Sequence, residues 1–443
     1  MLHPPSHFRY YLCFICLFGG LRAIAQPRVL ESLDIAAVWS AHPVGFALLT
    51  HPPHQFVAYY DAARRLTIAW RSLDSQKWST QTLPSTTTWD SHNYLTLAID
   101  SADHLHLSGN MHCVRLIYFR TTQGLDPSTF QKIPQMVGQN EQSCTYPQFL
   151  AGPKNELLFT YRDGRSGSGS QIYNVYNPAT QSWSRLFDKP LTDGQGKGNA
   201  YPHGPVRSPD GLFHVCWVWR NTPDCATNHT LSYARSKDFI HWETSTGKPL
   251  PLPLTLQNSE IVDPVPVNGG MINGNTILGF DRQNRPLIAY HKFDRAGNTQ
   301  LHLARPEGNT WTSHQLTHWT YRWNFSGGGA INFEIHLGPV AVSPDGSILV
   351  AYSHGKHGSG TLKLDSTTLE PLAQLPRPLT HPPELTKAQS PFPAMQVHWQ
   401  KDSTPNTNYW LRWETLPANR DRPIEKPWPE PTPLRLYKFA PEK

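Results

Sequence analysis

The chain has 443 residues, 38% of them hydrophobic and only 16% charged, with 41 Pro and 30 Gly. Charge this sparse excludes a coiled coil, an acidic tail and a wholly disordered chain. The net charge of +6, without any basic run, argues against a nucleic-acid binder. Proline spread this evenly leaves little room for long helices, and 15 Trp, 17 Tyr and 18 Phe favour half-buried pleated surfaces, so the composition predicts an all-β protein.

The first element in chain order is a leader. Arg9 precedes an apolar run from Tyr10 to Leu21, followed by Ala23-Ile24-Ala25. That pattern predicts a secretory signal over residues 1–25, cleaved before Gln26, and a secreted or periplasmic protein. The run is too short for a membrane span, which needs about 20 residues, and no later segment qualifies. Cys13 and Cys16 leave with the leader, so Cys113, Cys144, Cys216 and Cys225 remain. They are too few for a disulfide scaffold; an oxidising compartment would permit Cys113–Cys144 and Cys216–Cys225 pairs, and buried free thiols fit equally well.

A unit then recurs: a polar turn with Asp and Gly or Asn, an alternating apolar strand, a second strand, and a Trp-bearing turn. It begins with FVAYYDAARRLTIAWR at Phe56 and returns near His104, Glu156, Leu212, Pro286 and Ile348. Several short strands per period of about 50 residues predict a β-propeller. Six blades are legible directly. A seventh forms if a strand near Leu33–Trp39 pairs with late strands near Tyr409–Trp413 and Leu434–Phe439, which leaves no open edge. Residues 26–443 therefore read as one seven-bladed domain, with the Pro-rich stretch 417–433 running over its surface, and a monomer is expected.

Function in a propeller sits in loops where blades converge. Three segments carry unusual polar residues at strand ends: WDSHN with Asp90, His92 and Asn93; GNMHC with His112; and TYP followed by YRDGRSGSG, with Tyr146 and Arg162. Two imidazoles, a phenol and a guanidinium suit β-elimination from a uronic acid. Arg binds a carboxylate through its planar fork and stays charged. His can remove the C5 proton or return one to the departing O4, and Tyr can serve as the acid. No metal or cofactor is required. A glycoside hydrolase would need paired carboxylates, and no such pair stands at comparable sites.

These segments resemble those of the seven-bladed propeller polysaccharide lyases, which include the ulvan lyases and the L-rhamnose-α-1,4-D-glucuronate lyases. The spacings from His92 to His112 and from Tyr146 to Arg162 agree as well. The likeness runs from about Ala37 to about Leu375, and it implies catalytic roles for His92, His112, Tyr146 and Arg162. PVGFALLTHPPHQFVAYY, WDSHNYLTLAID and GNMHCVRLIYFR look closer to the rhamnose–glucuronate group. The resemblance therefore implies a lyase acting on L-rhamnose-α-1,4-D-glucuronate linkages in arabinogalactan-type plant or algal glycans. That group also contains α-L-rhamnosidases that use one His on the opposite face; His51 matches it best, His54 second. An ulvan-lyase-like endo-lyase and a non-catalytic carbohydrate-binding propeller are the other readings.

Arg220 and Arg322 follow aromatic strands and are candidates to bind the anionic sugar, with Asn93 and Asn199 as weaker hydroxyl contacts. His203, Cys216, Cys225 and His229 have metal-ligand chemistry, but their spacing fits no standard zinc pattern. A structural metal ion there is the weaker alternative to a buried Cys/His cluster.

Overall fold

A computed structural model describes residues 27–441, so the leader expected over 1–25 lies outside the described residues. Among those described, every regular element is a β-strand or a single 3-10 turn. No helix there is long and apolar enough to cross a membrane.

The local cause is repeated chemistry. At Asp61, Asp100, Asp281 and Asp294 one carboxylate oxygen accepts from the backbone N–H groups two and four residues ahead. An Asp that satisfies its own turn ends one strand and starts the next. The two Ser-Pro-Asp-Gly turns do the same with a glycine in the left-handed region, Gly211 at φ 92 and Gly346 at φ 94. Between turns, the apolar runs bury themselves. All eight residues of Phe213–Arg220 are buried, whereas Ile348–His354 alternates between buried and half-buried positions.

Among the described residues the strands form seven sheets of four to six strands, one to a blade. In chain order, blade 1 spans 47–86, blade 2 spans 95–133, blade 3 144–185, blade 4 199–263, blade 5 277–315 and blade 6 335–375. Blade 7 takes Val29–Val38 from one end of the chain and three strands, Gln396–Lys401, Tyr409–Thr415 and Thr432–Phe439, from the other. Val29–Val38 pairs antiparallel with Thr432–Phe439, the closure anticipated from the sequence. The core is a series of seams. One apolar cluster joins blades 7, 1 and 2, and four more join 2 with 3, 3 with 4, 4 with 5, and 5 with 6.

Two departures from the simple repeat matter for function. His112–Val114 leaves blade 2 and pairs with Cys144–Thr145, adding an innermost strand to blade 3. The Pro-rich stretch 417–433 is not wholly superficial: Trp428 is exposed, but Asp421 turns inward and its side chain is only 9% exposed. All four cysteines of the described chain are free, so neither permitted disulfide forms.

Leu434 is fully buried in the seam that joins blade 7 to blades 1 and 2. Leu434→Ala should therefore cost about 2–5 kcal/mol, as for any well-packed core leucine, in urea denaturation. A loss much below that would show that the closing strand contributes little to the ring's stability.

Candidate active site

Blades 2 and 3 build the site. Asp90 is the extended cap residue of the turn Ser91–Asn93, and its Oδ1 accepts from the His92 backbone N–H at 2.9 Å. The same carboxylate takes both imidazoles: Oδ1 lies 2.7 Å from His92 Nδ1 and Oδ2 lies 2.5 Å from His112 Nδ1. An ionised carboxylate can only accept, so both rings donate from Nδ1 and present Nε2 elsewhere. The two rings stack, with centroids 4.0 Å apart. Burial opposes ionisation of Asp90, yet the hydrogen bonds from His112 and His92 prevail and hold its carboxyl well below the usual carboxylate range.

Tyr146 reaches this pair because its strand is irregular. The register of Cys144–Ala151 against Leu157–Arg165 slips between Thr145 and Gln148, and Tyr146 itself sits at φ 59. A bulge re-aims the side chain that occupies it, and here it brings the Tyr146 ring to 5.4 Å from His92. Desolvation by its neighbours pushes the phenol well above its ordinary value, Tyr201 adding to the rise while Arg162 and Arg220 oppose it. Tyr146 therefore stays protonated at neutral pH.

Arg162 stands on the next strand, 1% exposed, with its guanidinium carbon 5.0 Å from the Tyr146 ring centre. It donates to Thr145 Oγ1 at 2.9 Å and Tyr201 Oη at 3.4 Å, and lies 3.3 Å from Cys113 Sγ; its Nε has no partner. Gly169 makes room for it: a Cβ there would come within 2.6 Å of Asn199 Oδ1 and 3.0 Å of Arg162 Cδ. Arg220, 8% exposed, lies 5.7 Å from the Tyr201 ring centre and donates to the carbonyls of Thr222 and Pro223 and to Asn273. Among the described residues neither arginine pairs with a carboxylate. Two buried cations without counter-charges are costly alone and suited to receiving an anion.

A cleft of about 660 Å³ opens beside this cluster. Asp90, Asn93 and His112 line it, with Arg115 and Lys132 further out; His92, Tyr146 and Arg162 are not among its walls. The other sequence candidates fall elsewhere. Asn93 is buried, its amide committed to Thr87 and Thr88. Asn199 is buried beside Arg162 with its Nδ2 unpartnered. Arg322 does not join Arg162; it lines a separate cavity with Phe293, Phe325 and Arg420, because the long irregular connection from blade 5 to blade 6 carries it there. His51 ends the inner strand of blade 1 at the opposite rim, in a cavity with Asp100 and Glu156, 3.7 Å from Asp103.

The metal candidates do not assemble. Cys216 faces the seam with blade 5, Cys225 packs against the cluster of blades 5 and 6, and both His229 ring nitrogens are engaged by Thr230 and Asn221. His203 sits opposite Cys216 in the ladder, without His229. The one group among the described residues that brings three ligand-type side chains together is Asp90, His92 and His112, with ligand atoms within 4.8 Å of one another. A cation held there through Nδ1 would displace the protons those rings give to Asp90.

Three further contributors are weakly marked in the sequence. Asp90 is the hub of the imidazole pair; Tyr201 links Arg162 to Arg220; and Asp421, from the Pro-rich stretch, accepts from Ser91 N and Oγ at 3.1 Å and lies 3.5 Å from His92 Nδ1. Only Asp90 has a local signal, its position two residues before His92.

A model for BNR repeat-containing family members matches residues 54–319, more than half of the chain. The chain belongs to that family. It is 27% identical over 124 residues to long-isoform ulvan lyases of Alteromonas sp. (strain LOR) and Pseudoalteromonas sp. (strain PLSV). Those matches cover 26% of this chain and 12% of each relative, so the chain aligns with about an eighth of the length of its curated relatives. Among solved structures, polysaccharide lyase Uly1 superposes with a TM-score of 0.62 at 14% identity, covering 94% of this chain and 100% of that one. An ulvan lyase superposes at 0.59 and 13% identity, covering 93% and 96%. These likenesses establish the shared propeller-type fold.

Asp90 supplies a test of the hub. Its depressed pKa means that its contribution is present above the ordinary carboxylate value of 3.8 and fades as pH falls below it. Asp90→Asn should cost about 1–3 kcal/mol at pH 7, the range for losing charged hydrogen bonds. In denaturant titrations the gap to the parent should shrink toward pH 3; a gap independent of pH would refute the bridge.

Proposed function

We propose that this protein is a polysaccharide lyase that breaks L-rhamnose-α-1,4-D-glucuronate linkages by β-elimination, in arabinogalactan-type glycans. The observation that carries the reading is the buried, carboxylate-free pair Arg162 and Arg220 beside two imidazoles and a protonated phenol. Similar proteins support the class: ulvan lyases by sequence, and by fold an ulvan lyase bound to -[GlcA(1-4)Rha3S]-, itself a uronate–rhamnose glycan.

In this mechanism the sugar carboxylate is drawn from the cleft toward the positive charge of Arg162, beside the Tyr146 ring, and of Arg220. Neutralising that carboxylate makes the C5 hydrogen acidic enough to remove. His112, oriented through Nδ1 by Asp90, takes the C5 proton at Nε2. The C5–H electrons form the C4=C5 double bond, the C4–O4 bond breaks, and O4 leaves with a proton from Tyr146. His92, on the other carboxylate oxygen, is the alternative donor. The raised pKa of Tyr146 keeps its proton in place at rest, so the phenol holds a proton for O4 and is not the resting base.

Hydrolysis in the same cleft is disfavoured by its composition. Asp90 is the one carboxylate in its walls, and both of its oxygens are occupied by imidazoles. A hydrolase needs a second free carboxyl group about 5–9.5 Å away, and the nearby Asp421 is engaged by Ser91 and Ala330. The remaining hydrolytic reading passes through His51 on the opposite rim.

Incubation with gum arabic should release rhamnose together with ultraviolet absorbance from the unsaturated uronate. Rhamnose without absorbance would mean hydrolysis, and oligosaccharides without free rhamnose would mean internal cleavage of a different polyuronate. His112→Ala and Arg162→Ala should each lower kcat/KM by about 10²–10⁴; a loss of glycan affinity in a protein without turnover would instead mark a binding module.

The proposed step uses no metal, because the His92 and His112 Nδ1 positions are committed to Asp90. Rates should survive exhaustive treatment with a chelator. Loss of activity restored by a divalent cation would assign the three-residue group to a metal instead.

A further inference from the structure

The cavity that holds Arg322 belongs to neither the site above nor the His51 rim. It encloses about 410 Å³ between loops of blades 4 and 5, the connection from blade 5 to blade 6 and a loop of blade 7, and Phe293, Arg322, Asn324, Phe325 and Arg420 form its walls with Asn268. Both guanidiniums are fixed in place. Arg322 stacks on Phe293 with its guanidinium carbon 3.7 Å from the ring centre, and donates to Asn324 Oδ1 at 2.7 Å and the Gly297 carbonyl at 2.9 Å. Arg420 donates to the carbonyls of Ser326 at 2.5 Å and Gly328 at 3.4 Å.

Each guanidinium lies over a glycine. A Cβ on Gly297 would stand 2.9 Å from Arg322 Nη1, and one on Gly327 would stand 2.9 Å from Arg420 Nη1. Larger residues at either position would push the cations out. No carboxylate lines the cavity, and the acidic residues nearest in sequence are spent on backbone N–H groups. Asp224 accepts from Ala226 and Gly327, Asp294 from Ala296 and Asn298, and Asp421 from Ser91 and Ala330. Two fixed cations, one stacked on Phe293, in a cavity without a carboxylate make a pocket for an oxyanion.

The two sites are mechanically joined. Tyr146 packs on Tyr201 with ring centres 6.0 Å apart, Tyr201 carries Arg220, and Arg220 grips the carbonyls of Thr222 and Pro223. Along that same loop the Cys225 N–H donates to the Gly327 carbonyl, and the Gly327 N–H donates to Asp224 Oδ1. Basic groups thus follow one rim from Arg162 through Arg220 to Arg322 and Arg420.

We infer that the Arg322–Arg420 cavity is a second subsite, which holds the carboxylate or sulfate of a saccharide unit remote from the bond being broken. This rests on the reading of the substrate as an acidic glycan, but its test requires no turnover.

The probes are a glucuronate-containing oligosaccharide, a sulfated oligosaccharide of equal length and a neutral rhamnose oligosaccharide. Each is titrated calorimetrically into the full chain carrying His112→Ala, with and without Arg322→Ala and Arg420→Ala together. Affinity for at least one anionic probe should fall about tenfold or more, the worth of one charged hydrogen bond, with the neutral probe unmoved. A loss confined to the glucuronate or to the sulfated probe supports the subsite and identifies its anion. Unchanged anionic affinities, or an equal loss for the neutral probe, overturn it. If the alanine pair melts below its parent, Arg322→Gln with Arg420→Gln keeps the packing, and the same outcomes decide.

Discussion

One carboxylate shared by two rings organises this molecule's chemistry. Asp90 cannot donate, so accepting from both Nδ1 atoms fixes the tautomer and direction of His92 and His112 at once. Everything around it serves that bridge. The turn Ser91–Asn93 is capped by the same residue, and Ser91 is tied down by Asp421 from the far end of the chain. Because the ring closes through Val29–Val38, the connection bearing Asp421 is held between two strands of one blade and cannot drift from blade 2.

The opposing wall is built by controlled irregularity. Cys113 at φ 56 and Tyr146 at φ 59 hold left-handed backbone conformations that cost non-glycine residues energy, and both lie where strand register slips. Flat, regular strands would have sent those side chains into the seams. The propeller tolerates the departures because each blade's outer strands remain paired and the seam between blades 2 and 3 remains apolar. Rigidity of the ring thus offsets strain at its centre.

This division explains what could be read from the sequence. Turn chemistry is local: an Asp that caps its own turn announces a strand boundary close by, so the repeat and the closing strand were legible. The longest interval of the repeat, from Leu212 to Pro286, conceals no extra blade. It holds the short strands Trp242–Glu243, Pro249–Leu250 and Glu260–Asp263, which enlarge blade 4. The four polar residues of the site were legible as a set because their types suit one reaction, and the fold does bring them together. Their partners were not. Asp90 meets His112 across 22 residues and Asp421 meets Ser91 across 330, distances over which only the finished ring supplies proximity. Arg322 shows the converse: its aromatic, turn-proximal context resembled that of Arg220, but the 316–334 connection carries no strand to aim it at the centre.

The charge pattern of the site bears on the choice between elimination and hydrolysis more directly than its shape does. Hydrolysis of a glycoside develops positive charge at the sugar ring, which buried arginines would oppose and free carboxylates would stabilise. Elimination develops negative charge on the uronate carboxylate and C5, which those arginines favour. Arg162 and Arg220 stand without counter-ions beside a phenol kept protonated, while the cleft's one acid has both oxygens occupied. Such an arrangement lowers the energy of a carbanion-like state and raises that of an oxocarbenium ion. The same fold could host either chemistry; the sign of the unpaired charge at its centre favours the first.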